Sequence, residues 1–393
     1  MKRIEKQGRK AYACIFLHSQ NSVIALSFIE EGGCVQLPKE IGRLVQLQYL
    51  NLSCTYIKAL PKELACLKEL KYLLLRSVHP SPLRIPRGAI SNLSKLRLLD
   101  LYGTEYEVLQ VESGRGRGHE ENTACLEELE ELNSKVMLST TLGIMVNAVP
   151  ALQMLSRFDK IVTRRLFLCI ERMSSSASIQ LTPSIVKAQL GSLKMLKSLQ
   201  NLMIARSESL VELEVDGEDR DHDMDWQLPD LDRLELVYLK KLKVVNWTRV
   251  SISDFLPQLR SVMIEDCPEL ENANWVLLLP RLETLEIYSC PKMQRVIDDS
   301  VGNHVGYNSA SAFRCLRIMI LYELGSLTSI CDQAISFPSL KIMEIGSCDE
   351  LKQLPVKIMG SNLREIRGSE GWWQSLQWQD EDVKNSFLPY FRR

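Results

Sequence analysis

The feature that most constrains this chain is a repeated order of apolar residues that follows neither a helical period nor a strand period throughout. In LETLEIYSCPKMQRV at 282–296 the strand-like alternation stops at a cysteine, and the same order occurs at 259–273 and at 340–355. Three of the four steps between late units are 23 or 24 residues, and the longer step of 34 contains the Gly-, Ser- and Asn-rich segment 298–312. The sequence therefore predicts a stack of similar units. These units begin at Leu259, Leu282, Leu316, Leu340 and Leu363.

This order resembles the leucine-rich repeat, L-x-x-L-x-L-x-x-N/C-x-L. In LETLEI, Leu282, Leu285 and Ile287 should point inward, while the second, third and fifth residues face outward. One unit cannot bury its apolar side alone, so neighbouring units must stack. We therefore expect an α/β leucine-rich-repeat solenoid: a curved horseshoe with a parallel β-sheet on its concave face and short helices, 3-10 turns and loops on its convex face. Small buried residues should turn the chain out of the strands, and they are Cys267, Cys290 and Cys348.

The same frame continues upstream through the segments 23–28, 47–61, 70–78, 96–104, 199–213 and 231–242. Recurrent prolines within the units exclude a helical bundle. We expect a lead segment at 1–22, a repeat domain at 23–367 and a capping segment at 368–393. The middle is irregular, with predicted loops near 103–124, 216–227 and 298–312. There the sequence predicts a helix at 125–132, a strand at 136–142, a helix at 149–158 and a strand at 164–173, then a loop at 174–178.

Composition limits the environment and the partners. The net charge is −1 with 25% charged residues, so no global field attracts nucleic acid or an anionic membrane. No apolar run approaches the roughly 20 residues that span a bilayer. The basic start MKRIEKQGRK and the apolar AYACIFL have the order of a secretory signal, but no small-x-small cleavage site follows. Eleven cysteines, an odd number without a closely spaced pair at either end, indicate reduced thiols. We therefore expect a cytoplasmic protein.

Motifs for chemistry are absent from the sequence. No G-x-x-x-x-G-K-[ST] stretch is present, so no P-loop can hold phosphates. The histidines lack a partner at metal-ligand spacing, and no cysteine has a setting typical of a nucleophile. We expect no enzyme activity, no cofactor and no metal site. The histidines are His18, His79, His119, His222 and His304.

Two loops resemble binding motifs in part. Asp221, Asp223 and Asp225 alternate like the first ligands of a calcium loop, but Trp226 stands where that loop needs glycine and Asp232 where it needs glutamate. The segment GRGRG at 114–118 is a single arginine-glycine copy without aromatic residues, and two glutamates follow it closely. We interpret both as solvated loops.

A family resemblance is carried by the repeat ends Leu37-Pro38, Leu60-Pro61 and Leu354-Pro355, by the Cys-Pro turns, and by the tail LREIRGSEGWWQSLQWQDEDVKNSFLPYF at 363–391. These features resemble the C-terminal leucine-rich-repeat region of plant intracellular nucleotide-binding disease-resistance proteins of the coiled-coil class. The resemblance runs from about residue 23 to residue 393.

The resemblance implies a non-catalytic protein-recognition module of an immune receptor. Such a module senses pathogen effectors or modified host proteins and helps to keep a nucleotide-binding switch inactive, and the switch is absent from this chain. The implied partners are an effector, a guarded host protein, or the nucleotide-binding domain in cis or in trans. One alternative is an extracellular receptor ectodomain, against which the lack of a G-x-I-P signature, a membrane span and capping cysteine pairs argues. Another is a substrate adapter for ubiquitin transfer, for which residues 1–22 are too short to hold a helical docking motif.

The register also predicts which residues form the candidate partner-binding surface on the concave face. The second residues of successive late repeat motifs should form one charged row, about 4.8 Å apart. The row is either a solvated flank with local ion pairs or a strip that docks an acidic surface. Two glutamates at the fifth position could neutralise part of the row, and two tyrosines could provide an aromatic anchor at the other end. The second-position residues are Arg260, Glu283, Arg317, Lys341 and Arg364, the fifth-position residues are Glu286 and Glu344, and the tyrosines are Tyr49 and Tyr72.

The tail is rich in aromatic residues and no longer follows the repeat frame. Trp372, Trp373 and Trp378 stand near Phe387 and Phe391. The last unit of a solenoid has an open apolar face, which a terminal segment must cover. We expect these aromatic side chains to cap it, and a partner-binding hot spot is the alternative.

Overall fold

A computed structural model describes most of the chain in two compact units. The first is formed mainly by residues 1–168 and the second mainly by residues 197–393. The described residues are 4–6, 9–18, 22–30, 37–76, 83, 85–102, 126–146, 155, 157–169, 198–208, 210–216, 228–248, 252–298, 313–331, 335–355 and 362–393.

The first unit contains strands whose order in its sheet follows the chain. β1 to β3 are joined in antiparallel pairs, and each later pair from β3/β4 to β7/β8 is parallel. A parallel pair needs a crossover connection, which each repeat supplies. The strands are β1 Ile4–Lys6, β2 Arg9–His18, β3 Ser22–Glu30, β4 Tyr49–Asn51, β5 Tyr72–Leu74, β6 Leu98–Asp100, β7 Thr140–Val146 and β8 Ile161–Cys169.

The second unit has a parallel sheet in the order β9-β11-β13-β14-β15-β16-β17-β18, and β10 pairs with β12 in a separate two-stranded sheet. Its strands are β9 Asn201–Ser207, β10 Glu212–Asp216, β11 Arg233–Leu239, β12 Val244–Thr248, β13 Ser261–Glu265, β14 Thr284–Tyr288, β15 Ile318–Tyr322, β16 Ile342–Gly346, β17 Glu365–Gly368 and β18 Phe391–Arg392. Both units therefore have the strand–crossover–strand order of a leucine-rich-repeat solenoid.

The core lies on the inward side of each sheet. Leu282, Leu285 and Ile287 are at most 1% exposed, whereas Thr284 and Glu286 between them are half-buried. The predicted register is confirmed in β14. Because each of these side chains contributes about 1.5–3 kcal/mol when it is buried, repetition of the pattern builds a large core from small units.

A left-handed residue ends each late strand at an equivalent position. Asp266, Ser289 and Ser347 have φ of 53°, 50° and 50°, and each directly precedes a buried cysteine. The backbone N–H of Ser289 donates to the carbonyl of Tyr322 on the next strand, at 3.0 Å. Aspartate tolerates the left-handed conformation, and serine can partly compensate for it by hydrogen-bonding to nearby backbone, whereas β-branched residues cannot adopt it easily. The turn therefore does not need glycine.

The three turn cysteines are buried, as predicted. The Cys267 Sγ donates to the carbonyl of Leu236 at 3.7 Å, and the Cys348 Sγ donates to that of Leu321 at 3.6 Å. Burial raises the pKa of the Cys348 thiol to about 11, which keeps it protonated at neutral pH. These thiols therefore serve as small core residues with a weak hydrogen bond to the preceding repeat.

Short helices and 3-10 turns connect the strands. Pro38 and Pro61 precede two of the 3-10 turns, where their fixed φ fits the entry and no N–H is needed. The helices are α1 Leu126–Lys135, α2 Ile252–Phe255, α3 Glu370–Ser375 and α4 Glu381–Phe387, and the 3-10 segments are Lys39–Arg43, Lys62–Cys66, Asn274–Leu278 and Leu388–Tyr390.

The irregular middle corrects two predicted boundaries. The strand expected at 136–142 is Thr140–Val146, and the strand expected at 164–173 is Ile161–Cys169. Met137 and Leu138 suggested an earlier start, but they are 86% and 57% exposed, and the buried residues of β7 begin at Thr140. The helix predicted at 125–132 is present as α1 and extends to Lys135.

The structure also adds an element at the start of the chain. Residues 1–22, expected only as a lead segment, contain β1 and β2, which pair antiparallel at the edge of the first sheet. The loops predicted at 103–124 and 174–178 lie outside the described residues. So do nearly all of the loops at 216–227 and 298–312 and most of the helix at 149–158.

Candidate interaction surface

The second-position residues of the late repeats form one row, as the register predicted. The backbone N–H of Glu283 donates to the carbonyl of Arg260, and that of Arg317 donates to the carbonyl of Glu283, both at 2.8 Å. Lys341 and Arg364 continue the ladder at 2.8 and 2.9 Å. We call these five residues the second-position row. Their equivalent backbone positions place the side chains about 4.8 Å apart from one strand to the next.

Charges alternate in the early part of this row and are unmatched at its end. Arg260 lies 3.7 Å from Asp232 and 3.8 Å from Glu283. Asp232 precedes Arg260 in the same ladder, although the sequence pattern did not place it in the row. Arg317 lies 2.9 Å from Glu283. Among the described residues, neither Lys341 nor Arg364 has a carboxylate partner. Excess positive charge therefore remains at the end of the row.

The fifth-position glutamates do not neutralise this charge, contrary to the expectation. The Glu344 carboxylate accepts from Arg367 at 3.2 Å, and Arg367 also lies 3.0 Å from Glu365. Glu286 accepts from the Tyr288 hydroxyl at 3.2 Å. The reason is distance along the strand, since three residues separate the fifth position from the second by roughly 10 Å. Arg367, on the neighbouring strand in Glu344's own row, is closer.

An apolar patch lies beside the second-position row, and the sequence analysis missed it. It consists of the outward, half-buried side chains of Ile318, Ile320 and Ile342 with the aromatic rings of Tyr288 and Tyr322. We call these five residues the isoleucine–tyrosine patch. The run RIMILY at 317–322, which has isoleucine at both its third and its fifth motif positions, was the available signal.

Register brings the members of this patch together. Ile318 pairs with Ile342 across β15 and β16, and the Tyr288 and Tyr322 ring centroids are 6.3 Å apart. Gly346 makes room for Tyr322, because a Cβ there would lie 2.3 Å from its Cζ. Burial, together with the charge of Glu286, raises the pKa of Tyr288 to about 12, so its hydroxyl stays protonated at neutral pH.

The first unit carries the predicted tyrosine pair and a charged cluster that was not predicted. Tyr49 and Tyr72 pair in register with centroids 6.2 Å apart, and Tyr72 is 37% exposed. Nearby in the sheet, Asp100 is 1% exposed and lies 2.9 Å from Arg76 and 3.0 Å from Arg165. Both arginines contact the same carboxylate oxygen. We call these last three residues the Asp100 cluster.

The C-terminal aromatic residues pack against the last repeats. Trp372 and Trp373 are buried, and the Trp372 indole N–H donates to the carbonyl of Leu351 at 3.0 Å. The Trp373 ring stacks on Phe391 with centroids 4.3 Å apart. Phe391 begins β18, which pairs with β17 as the last strand of the sheet. Trp378 lies 5.2 Å from Trp373 and 5.4 Å from Phe387, measured between centroids.

Within the described ranges, no group of three His, Cys, Asp or Glu side chains is placed to hold a metal ion. No helix in the same ranges combines the length and the apolar character that crossing a membrane requires.

The fold and the outward charged rows define a leucine-rich-repeat protein, and comparison with known proteins narrows the class. A family model described as "Plant disease resistance protein RPS2-like, leucine-rich repeats" matches residues 249–367. Disease resistance protein RPS5 of Arabidopsis thaliana is 26% identical over 389 residues, which cover 96% of this chain and 37% of that protein. Disease resistance protein At4g27190 of the same plant is 25% identical over 394 residues, which cover 91% of this chain and 39% of that protein.

Solved leucine-rich-repeat structures also align. The ectodomain of the plant receptor kinase GASSHO1/SCHENGEN3 from Arabidopsis thaliana aligns at 14% identity with a TM-score of 0.37, covering 90% of this chain and 52% of that chain. An internalin from Listeria monocytogenes aligns at 16% identity with a TM-score of 0.37, covering 92% of this chain and 84% of that chain.

The predicted resemblance to the leucine-rich-repeat region of plant nucleotide-binding disease-resistance proteins is thus confirmed. The chain spans at most about two-fifths of the length of the resistance proteins described above.

Proposed function

We propose that the chain is a non-catalytic, cytoplasmic protein-recognition module of a plant immune receptor. In this role it senses pathogen effectors or modified host proteins and contributes to holding a nucleotide-binding switch inactive. The observation that carries the proposal is the alignment of 91–96% of the chain with resistance proteins that are two to three times as long.

The second-position row supports this proposal by its chemistry. Lys341 and Arg364 face outward on neighbouring strands without carboxylate partners in the described residues, and Arg317 is 52% exposed beside them. Repulsion between like charges on adjacent strands mildly disfavours the isolated sheet, by roughly 0.2–1 kcal/mol per pair. An acidic partner surface would remove that repulsion and would speed encounter at low salt. The charges of the row are therefore better explained by docking of a protein partner than by stabilisation of the sheet.

The test reverses the three charges with Arg317→Glu, Lys341→Glu and Arg364→Glu. Wild type and variant would be produced with the nucleotide-binding region of a resistance protein from the same source organism, and their association measured at several salt concentrations. We expect an unchanged circular dichroism spectrum, weaker association and a smaller salt dependence.

A matched control reverses three exposed cations of the first unit, Lys39, Arg43 and Lys62, and should leave association unchanged. Equal binding of the folded triple variant at low ionic strength would eliminate the second-position row as the docking surface.

A further inference from the structure

We infer that the isoleucine–tyrosine patch and the end of the second-position row together bind one kind of ligand. That ligand is a protein segment that presents a large apolar or aromatic side chain next to two or more carboxylates. This inference rests on the proposed function, because it names the chemistry of the partner that the module recognises.

The patch is local, which sets it apart from ordinary scattered surface apolar residues. Ile318 and Ile342 occupy the third position of the repeat motif. At the same position, the other strands β13, β14 and β17 carry Ser261, Thr284 and Glu365. Two outward isoleucines on adjacent strands in a row that is otherwise polar make a contiguous apolar contact. Apolar and tyrosine side chains grouped in this way are typical of the centre of a protein interface.

Charge selects the occupant. Lys341 and Arg364 border the patch on one side with no carboxylate partner in the described residues. On the other side, Glu344 is paired with Arg367, while Glu286 accepts only from the neutral Tyr288 hydroxyl and keeps its negative charge. The unmatched charge on the second-position side of the isoleucines, at Lys341 and Arg364, is therefore positive. A segment with an apolar side chain alone would leave the two cations partly desolvated and unpaired, which is costly, so the fitting ligand also carries carboxylates.

The two parts of the surface have separable effects on binding. Burial of the isoleucines and of Tyr322, which is 38% exposed, supplies affinity that salt hardly changes. The ion pairs with Lys341 and Arg364 supply orientation and an association rate that falls with salt. A ligand that uses both parts will lose affinity in two distinguishable ways when each part is altered.

The experiment selects phage-displayed random peptides on the immobilised full chain. The best peptide, labelled with a fluorophore, is then titrated with wild type and variants. The variant Ile318→Thr/Ile342→Thr keeps β-branched residues and strand propensity while it removes the apolar contact. We expect enriched peptides with an apolar or aromatic residue flanked by Asp or Glu, and a roughly tenfold or larger loss of affinity in the double variant.

The controls separate the two parts and the fold. Val211→Thr alters an exposed apolar residue of the same unit outside the patch and should leave peptide affinity unchanged. Lys341→Gln/Arg364→Gln should weaken binding at low salt but change it little at high salt. Circular dichroism of every variant should match wild type.

Four results would overturn the inference. Peptides enriched without acidic residues would remove the charge argument, and equal affinity of the Ile318→Thr/Ile342→Thr variant would remove the patch. A wild-type dimer in sedimentation that becomes monomeric in that variant would make a second copy of the chain the occupant.

Peptide selection needs no immune partner, so it tests the patch separately from the proposed function. If peptide selection enriches no binder while charge reversal still weakens receptor association, the inference alone is overturned. Successful peptide selection with charge-independent receptor association would leave the inference intact and would eliminate the row as the receptor-docking surface in the proposed function.

Discussion

The Asp100 cluster of the first unit and the second-position row of the second unit use the same residue types with opposite results. In the first, one buried carboxylate lies 2.9 and 3.0 Å from two arginines that are each 42% exposed. In the second, Arg317 pairs with Glu283, but Lys341 and Arg364 have no carboxylate partner in the described residues. Position in a row does not decide whether an outward cation stabilises the sheet or remains available. A carboxylate within reach on a neighbouring strand does.

Geometry explains the difference. Asp100 fits into space above Gly143, because a Cβ there would lie 2.5 Å from its Oδ1, and a register shift after Leu142 brings Arg165 opposite Gly143. The pairing of β15, β16 and β17 has no register shift, and the space above Gly346 is filled by the Tyr322 ring and not by a carboxylate. The first region is therefore expected to respond in stability and the second in binding.

The largest expected effect is on the core beneath the second-position row. Leu285→Asp would bury a carboxylate without a partner between adjacent repeats and should cost several kcal/mol, about 3 or more. Thermal melting by circular dichroism measures the loss. The matched change Thr284→Asp places the same group outward and should cost far less. If a Leu285→Asp variant melts within a degree or two of wild type, Leu285 does not face the core and the assigned register of β14 is wrong.

The next largest effect concerns the aromatic C-terminal segment, residues 368–393, which covers the last repeats. Deletion of residues 368–393 would expose the core under Trp372 and Trp373, so we expect aggregation or a clearly lower melting temperature. Size-exclusion chromatography and thermal melting check this. A truncated chain that stays soluble and equally stable but loses a partner would instead support a hot spot in the tail.

The Asp100 cluster offers the sharpest comparison between the two regions. Asp100→Asn would leave two guanidinium groups facing each other, and we expect a loss of about 1–3 kcal/mol, less than for a fully buried pair because both arginines are half-exposed. Hydrogen exchange of β6 reports it locally. Glu283→Gln should lower the stability of β14 by under about 1 kcal/mol, since its partners are exposed. Equal losses at both sites would show that the buried Asp100 carboxylate contributes no more to stability than the partly exposed Glu283.

The last comparison concerns a pair of glycines, one in each region. Gly143→Ala would push against Asp100, which is held by two arginines and by the Tyr102 N–H, and should cost about 1–2 kcal/mol. Gly346→Ala would push against Tyr322, whose half-exposed ring can turn away into solvent, and should cost less than half as much. Urea denaturation followed by hydrogen exchange in β7 and β16 distinguishes the two. A larger loss at Gly346 would show that Tyr322 is held more firmly than its exposure indicates.

The sequence by itself determined the repeat fold and the late register. The inward residues of β14 and the alignment of Arg260 with Arg364 along one row follow from the L-x-x-L-x-L alternation and from a constant step. In a parallel stack, equal position in the unit means equal position in space, so local pattern was sufficient. The aromatic tail was also visible as a departure from the frame.

Tertiary structure alone decided which charges are matched and where apolar side chains meet. Arg165 is 65 residues from Asp100, and the register shift that aligns them has no signal in either segment. The β7 boundary was misplaced because Met137 and Leu138 are as apolar as core residues, although both are mostly exposed. The isoleucine–tyrosine patch depends on pairing between strands 24 residues apart and on the space above Gly346. Such features depend on distances between side chains of different repeats, and an apolar pattern read one unit at a time does not contain those distances.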